Sequence, residues 1–168
     1  MPKFHKFIYH EIIRPLRLKQ EAKIVNELDG KTILEVGYFD NLFQKLLRDN
    51  LTYMGIDSNP NIAIKDMPLI KIEDFKPQKK FDIVVFSNVL EHLEDPVLAI
   101  KKIKNLSKKY ICIGVPYEPF YSITRLFIPE KEHLWTIHPN LLRLYFGNPI
   151  KEKYFHLRRS YFAVFSVN

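Results

Sequence analysis

Ile33-Leu34-Glu35-Val36-Gly37-Tyr38-Phe39-Asp40-Asn41 is the stretch on which the reading of this chain turns. Ile33 to Val36 suits a strand covered on both faces, and Gly37 opens a tight turn directly behind it. The turn carries a single glycine, fewer than a close-fitting loop of this kind usually holds.

Working outward, apolar strands alternate with amphipathic helices. The predicted strands are Thr32–Val36, Thr52–Ile56, Ile70–Ile72, Phe81–Phe86 and Tyr110–Val115. The first, fourth and fifth are continuous apolar runs, as central parallel strands are. Helices are expected near Leu42–Asp49, around 60–66 and at Pro96–Leu106. In the tail, a helix at Pro139–Phe146 stops at Gly147-Asn148-Pro149. Two further strands, Lys151–Leu157 and Tyr161–Val167, follow across Arg158-Arg159-Ser160. The pattern predicts an α/β fold with a Rossmann-like, doubly wound, mostly parallel sheet of about seven strands and a C-terminal antiparallel hairpin.

Upstream, Phe4, Ile8, Ile12 and Leu16 recur at helical spacing among basic residues, and Pro15 is expected to break or kink that element. A second helical stretch, 20–28, ends at Asp29-Gly30. With 168 residues and no linker or repeat, one domain is expected over 1–168. Within it, 1–28 is an N-terminal helical segment and 117–138 a segment on the substrate side.

A hydrophobic share of 46% excludes a disordered class, and a single cysteine, Cys112, excludes an internal disulfide. No apolar run approaches the ~18 residues of a membrane span, so a cytoplasmic protein is expected. The net charge of +7 admits an acidic partner, whether nucleic acid or an anionic membrane surface met by the basic N-terminus. It equally suits lysines that only keep the surface soluble, and no compact Lys/Arg block argues otherwise. Composition is silent on oligomeric state.

In open α/β sheets ligands lie at the carboxyl ends of the strands. Glu35 lies at the first strand's exit, Asp57 ends the second and Asp74 ends the third. The Gly37-to-Asp57 spacing suits a carboxylate accepting ribose hydroxyls of a nucleoside, with Ser58 beside it. Each acid taken alone is as readily a helix cap. Three on successive strand ends favour a site.

Phe81-Asp82-Ile83-Val84-Val85-Phe86-Ser87-Asn88-Val89-Leu90-Glu91-His92-Leu93-Glu94-Asp95-Pro96 resembles the fourth-strand segment of class I S-adenosylmethionine (SAM)-dependent methyltransferases, the type 11 group in particular. Ile113-Gly114-Val115-Pro116 and Glu132-His133-Leu134-Trp135 resemble later segments of that family in the same order. The resemblance implies SAM as cofactor. It implies Gly37, with Tyr38 and Phe39, against the methionine and ribose portions, and Glu35 near the methionine amino group. It further implies Asp57 and Ser58 at the ribose, Asp74 at the adenine amine, and Ser87 and Asn88 at the amino-acid part or the surroundings of the transferred methyl. Phe39 and Asn41 stand where the family's later glycines belong. Either Phe39 turns outward or it fills part of the pocket, and the alternative function is a methyltransferase-fold binding or scaffold protein.

The methyl acceptor is expected to be a small molecule or a surface-bound group. His92 is the candidate catalytic base, with Tyr117, His133 and Trp135 on the substrate side as lid or pocket wall. Each has a plain packing alternative. The His and Glu residues at 91–94 and 130–138 show no metal-binding spacing, so no metal is expected. Cys112 falls inside a strand and reads as a small buried hydrophobe.

Overall fold

In a computed structural model of the protein, residues 9–62, 64, 66–117, 133–155 and 160–167 are described. Six strands form one sheet among them: β1 (Thr32–Val36), β2 (Thr52–Ile56), β3 (Phe81–Ser87), β4 (Ser107–Pro116), β5 (Lys151–Phe155) and β6 (Ser160–Ser166), in the order β2-β1-β3-β4-β6-β5. The first four are parallel, and β6 returns antiparallel between β4 and β5. The sheet therefore reverses direction of growth at the β1/β3 boundary, where a crevice opens beyond the strand ends.

The expected strand at Ile70–Ile72 does not form. Leu69 makes one isolated parallel bridge to Asp57, and residues 72–74 are a turn. Among the described residues that isolated bridge is the only pairing beyond the outer edge of β2, and the sheet they form has six strands where about seven were expected. The pairing centres on Asp57, whose N–H donates to the Pro68 carbonyl and whose carbonyl accepts the Ile70 N–H at 2.7 Å; Pro68 has no N–H with which to extend the ladder back along β2.

Alternation along the strands splits the core in two. Leu34, Val36, Val84, Phe86, Ile111 and Ile113 face helix α3 (Pro96–Leu106). Ile33, Ile83, Val85, Cys112, Phe162 and Val164 face α1 (Arg14–Asn26) and Phe43 of the short α2 (Leu42–Leu46). Helix α3 starts where the sequence predicts, because Asp95 accepts the Leu98 N–H and Pro96 occupies the first turn.

The N-terminus departs from expectation. Pro15 lies in the first turn of α1, and the segment ahead of it is a π-helical turn rather than a continuation of the α-helix; Phe4 and Ile8 of the expected element lie outside the described residues. A short π-helical turn, Tyr9–Ile13, leads into one continuous 13-residue helix. Within the predicted helix at 60–66 a 3₁₀ turn covers Pro60–Ile62, residues 63 and 65 lying outside the described residues, and α2 ends at Leu46 rather than at Asp49. Helix α4 (Pro139–Phe146) matches its prediction, with His138 as its cap: its Nδ1 accepts the Asn140 N–H at 3.2 Å.

Candidate active site

Three parallel strands deliver Gly37, Asp57 and Ser87-Asn88 to one edge of the sheet. The Gly37 N–H donates to the Ile56 carbonyl at 2.8 Å, which stitches the turn to the end of β2. Gly37 has φ +79, and a β-carbon there would come within 2.3 Å of Val89 Cγ2. Glycine is required at this position by both backbone and space.

Farther along the turn, Phe39 also takes a left-handed conformation, φ 51, which is costly for an aromatic residue. Its ring turns outward and is 44% exposed. There it stacks on the His10 ring and lies under the Arg14 guanidinium, 4.8 Å from the centroid. Tyr38 takes the inward position, fully buried, its hydroxyl donating to the Ile62 carbonyl. Asn41 needs no glycine-like freedom at all, since its φ is −91.

Asp57 closes the turn from the neighbouring strand. One carboxylate oxygen accepts the Phe39 N–H at 3.2 Å and the other accepts the Asn59 N–H at 2.9 Å. Ser58 beside it is exposed. Asp74 is exposed on the 72–74 turn, not at a strand end as the sequence suggested.

Glu35 points to the α1 face of the sheet and is buried. The Tyr53 hydroxyl donates to it at 2.5 Å. Burial pushes its carboxyl up to about 8, although the Tyr53 hydrogen bond and the Arg14 charge both pull it down.

The contribution of α1 was not foreseen. Arg17 and Glu21, one turn apart, are buried against the strand ends. The Arg17 guanidinium donates to Glu21 at 3.2 Å, to the Ser87 hydroxyl at 2.5 Å and to the Asn88 side-chain oxygen Oδ1 at 2.7 Å. Ser87 in turn donates to Glu21 at 2.7 Å. Glycine at 114 makes room: a β-carbon there would lie 3.0 Å from Glu21 Oε1. Arg14 meanwhile grips Asp40 with two nitrogens, at 2.8 and 3.0 Å. Arg14 and Arg17, expected to serve a basic docking surface, are thus turned into the protein. The legible signal was the spacing of 17, 18, 21, 22 and 25, which puts one arginine and one glutamate on the buried face of a helix.

On the far side of β3, a 3₁₀ turn over Leu90–His92 sets a buried Glu91 and an exposed His92 beside residues 133–135. The Leu134 and Trp135 N–H groups both donate to the Glu91 carbonyl, at 2.8 and 3.2 Å, and Trp135 Nε1 donates to the Leu93 carbonyl at 2.9 Å. The His92 and His133 rings meet edge-on with centroids 4.8 Å apart. Tyr117 packs instead against Tyr154, 4.9 Å between centroids. Residues 118–132 of the expected substrate-side segment lie outside the described residues.

This arrangement has relatives. A family model described as "Methyltransferase domain" matches residues 5–135. The chain belongs to the methyltransferase domain family. Over 116 residues this methyltransferase domain is 30% identical to a ubiquinone biosynthesis O-methyltransferase of Actinobacillus pleuropneumoniae, covering 58% of this chain and 50% of that protein. The chain spans half or less of the length of the curated relatives it matches. Among solved structures it superposes on a SAM-dependent methyltransferase from Archaeoglobus fulgidus with a TM-score of 0.74 at 16% identity, covering 98% of this chain and 99% of that one. It also superposes on the N-methyltransferase NodS of Bradyrhizobium japonicum in complex with S-adenosyl-L-homocysteine, with a TM-score of 0.66 at 15% identity over 92% and 86% of the two chains. No helix among the described residues is long and apolar enough to cross a membrane.

Proposed function

We propose that this methyltransferase domain transfers a methyl group from SAM to a small-molecule or surface-bound acceptor. The observation that carries this reading is the link between the Gly37 turn and Asp57. The Phe39 N–H on the Asp57 carboxylate holds the turn of β1 against the acid of β2. A nucleoside at this crevice would meet glycine backbone on one side and a carboxylate for its ribose hydroxyls on the other.

In the proposed arrangement Gly37 and the Tyr38 and Phe39 backbone border the cofactor, and Asp57 with Ser58 takes the ribose. Asp74 keeps its assignment to the adenine amine as a turn residue. Glu35 serves the methionine ammonium, directly or through water. Ser87 and Asn88 define the amino-acid end, held in place by Arg17. SAM supplies a sulfonium leaving group, so the protein's part is alignment and exclusion of water. His92, His133 and Trp135 stand on the acceptor side.

One observation favours the alternative of a binding or scaffold protein: Arg17 already engages the Ser87 and Asn88 side chains that the cofactor would approach. Calorimetric titration separates the two. SAM and S-adenosylhomocysteine are expected to bind the full chain, and Asp57→Ala is expected to weaken binding by at least about tenfold, the ~1.4 kcal/mol of one lost charged hydrogen bond. Equal binding by the two proteins would remove the ribose assignment. No binding by the unaltered chain would select the scaffold reading.

A further inference from the structure

We propose that Glu91, His92 and His133 form a binding site for a first-row divalent transition-metal ion. The sequence offers no such spacing, because 41 positions separate the two histidines. The fold closes that gap. Glu91 is buried, His92 exposed and His133 half-buried, and one ligand atom from each lies within 4.8 Å of the others. His92 Nε2 is 4.0 Å from Glu91 Oε1.

These separations are close to what coordination needs. Ligand atoms about 2.1 Å from a metal stand about 3.4 Å apart in a tetrahedral set and up to about 4.2 Å apart across an octahedron. The remaining contraction is small and falls on the most exposed member, the His92 side chain at 40%. The other two are pre-positioned by backbone. Leu90, fully buried, anchors the turn that carries Glu91 and His92, and the Leu134 and Trp135 N–H groups clamp the next segment onto the Glu91 carbonyl. The Trp135 indole repeats the clamp at Leu93. A site held by main-chain bonds across two segments keeps its geometry without the ion.

The donor set chooses the ion. Two imidazoles and one carboxylate suit zinc, cobalt or ferrous iron, whereas magnesium and calcium seek all-oxygen shells. Three protein ligands leave at least one coordination position open. Val89, whose side chain abuts Gly37, lies only two residues before Glu91, so the site borders the Gly37 turn. An acceptor oxygen or nitrogen is the ligand suited to the open position. That last clause rests on the methyl-transfer reading above; the ion site does not.

The experiment is a titration of the full chain, free of SAM, with Co²⁺ followed by visible absorption and then by displacement with Zn²⁺. One Co²⁺ per chain is expected, with ligand-field bands that Zn²⁺ abolishes. Loss of an outer-shell partner alone costs about 10–100-fold in metal affinity, so His92→Ala and His133→Ala are each expected to weaken binding by at least about tenfold. His10→Ala, on the other side of the sheet edge, is expected to leave it unchanged. Circular dichroism of each variant verifies the fold. Absence of ligand-field bands in the unaltered chain would overturn the site, as would binding that both histidine variants retain. Because SAM is left out, neither outcome bears on whether the chain binds the cofactor.

Discussion

At the scale of single residues, Glu35 carries the clearest physical consequence. Its ordinary value of 4.5 is raised to about 8 in the folded chain, chiefly by burial. The folded state therefore holds a proton that the unfolded state releases between these two values. Unfolding sheds that proton, so stability falls as pH rises from about 4.5 to about 8 and then levels off. Glu35→Gln keeps an acceptor for the Tyr53 hydroxyl and removes the titration. Denaturant melts at pH 5 and pH 8 are expected to differ by up to a few kcal/mol less in this variant than in the parent. An unchanged pH slope would mean that Glu35 ionises freely in the fold. Neighbouring Phe39 shows why the missing glycines do not abolish the turn. A left-handed φ costs a non-glycine residue about 1–2 kcal/mol, and stacking on His10 and Arg14 offsets part of it.

At the scale of elements, α1 is both a packing helix and a wall of the site. Leu18, Ala22 and Val25 cover one face of the sheet, while Arg17 and Glu21 reach the strand ends from the same side of the helix. A buried ion pair is a poor source of net stability but a costly thing to break. Arg17→Met leaves Glu21 fully buried without its cation and is expected to cost about 3–5 kcal/mol in urea unfolding. Arg17→Met combined with Glu21→Leu removes both charges and is expected to recover most of that loss. Equal destabilisation by the single and double changes would show that the two side chains are not coupled. The pair therefore reads as a positioning device for Ser87 and Asn88 rather than as a stabiliser of the helix.

At the scale of the whole molecule, β6 completes the sheet. Tyr161 to Phe165 are all fully buried, and their alternate side chains enter the two core clusters, Phe162 against α1 and Phe165 on the α3 side. A strand this far along the chain, lying between β4 and the edge strand β5, ties the last residues to the first helix. Phe162→Ala is expected to destabilise the protein by about 3–5 kcal/mol, read from the denaturant midpoint. A loss below about 1 kcal/mol would place β6 outside the cooperative unit.

The amino-acid sequence alone determined the parallel α/β sheet, the antiparallel tail, and the strand-end positions of Glu35, Gly37, Asp57 and Ser87. These follow from apolar runs and turn residues, which act over a few neighbouring positions. It overstated the strand near Ile70 because Ile70 and Ile72 on either side of Lys71 alternate as a strand would, whereas in the fold residues 72–74 form a turn. Proline's effect likewise depends on where in a helix it falls, and Pro15 falls in the first turn of α1, directly behind a π-helical turn. Tertiary structure alone decided that Arg14 and Arg17 turn inward, that Phe39 turns outward while Tyr38 fills the interior, and that His92 meets His133. Each of those outcomes is set by which surfaces come together across tens of residues. Local periodicity reports which residues seek burial, and only the closed fold shows which charged or aromatic group each buried surface faces.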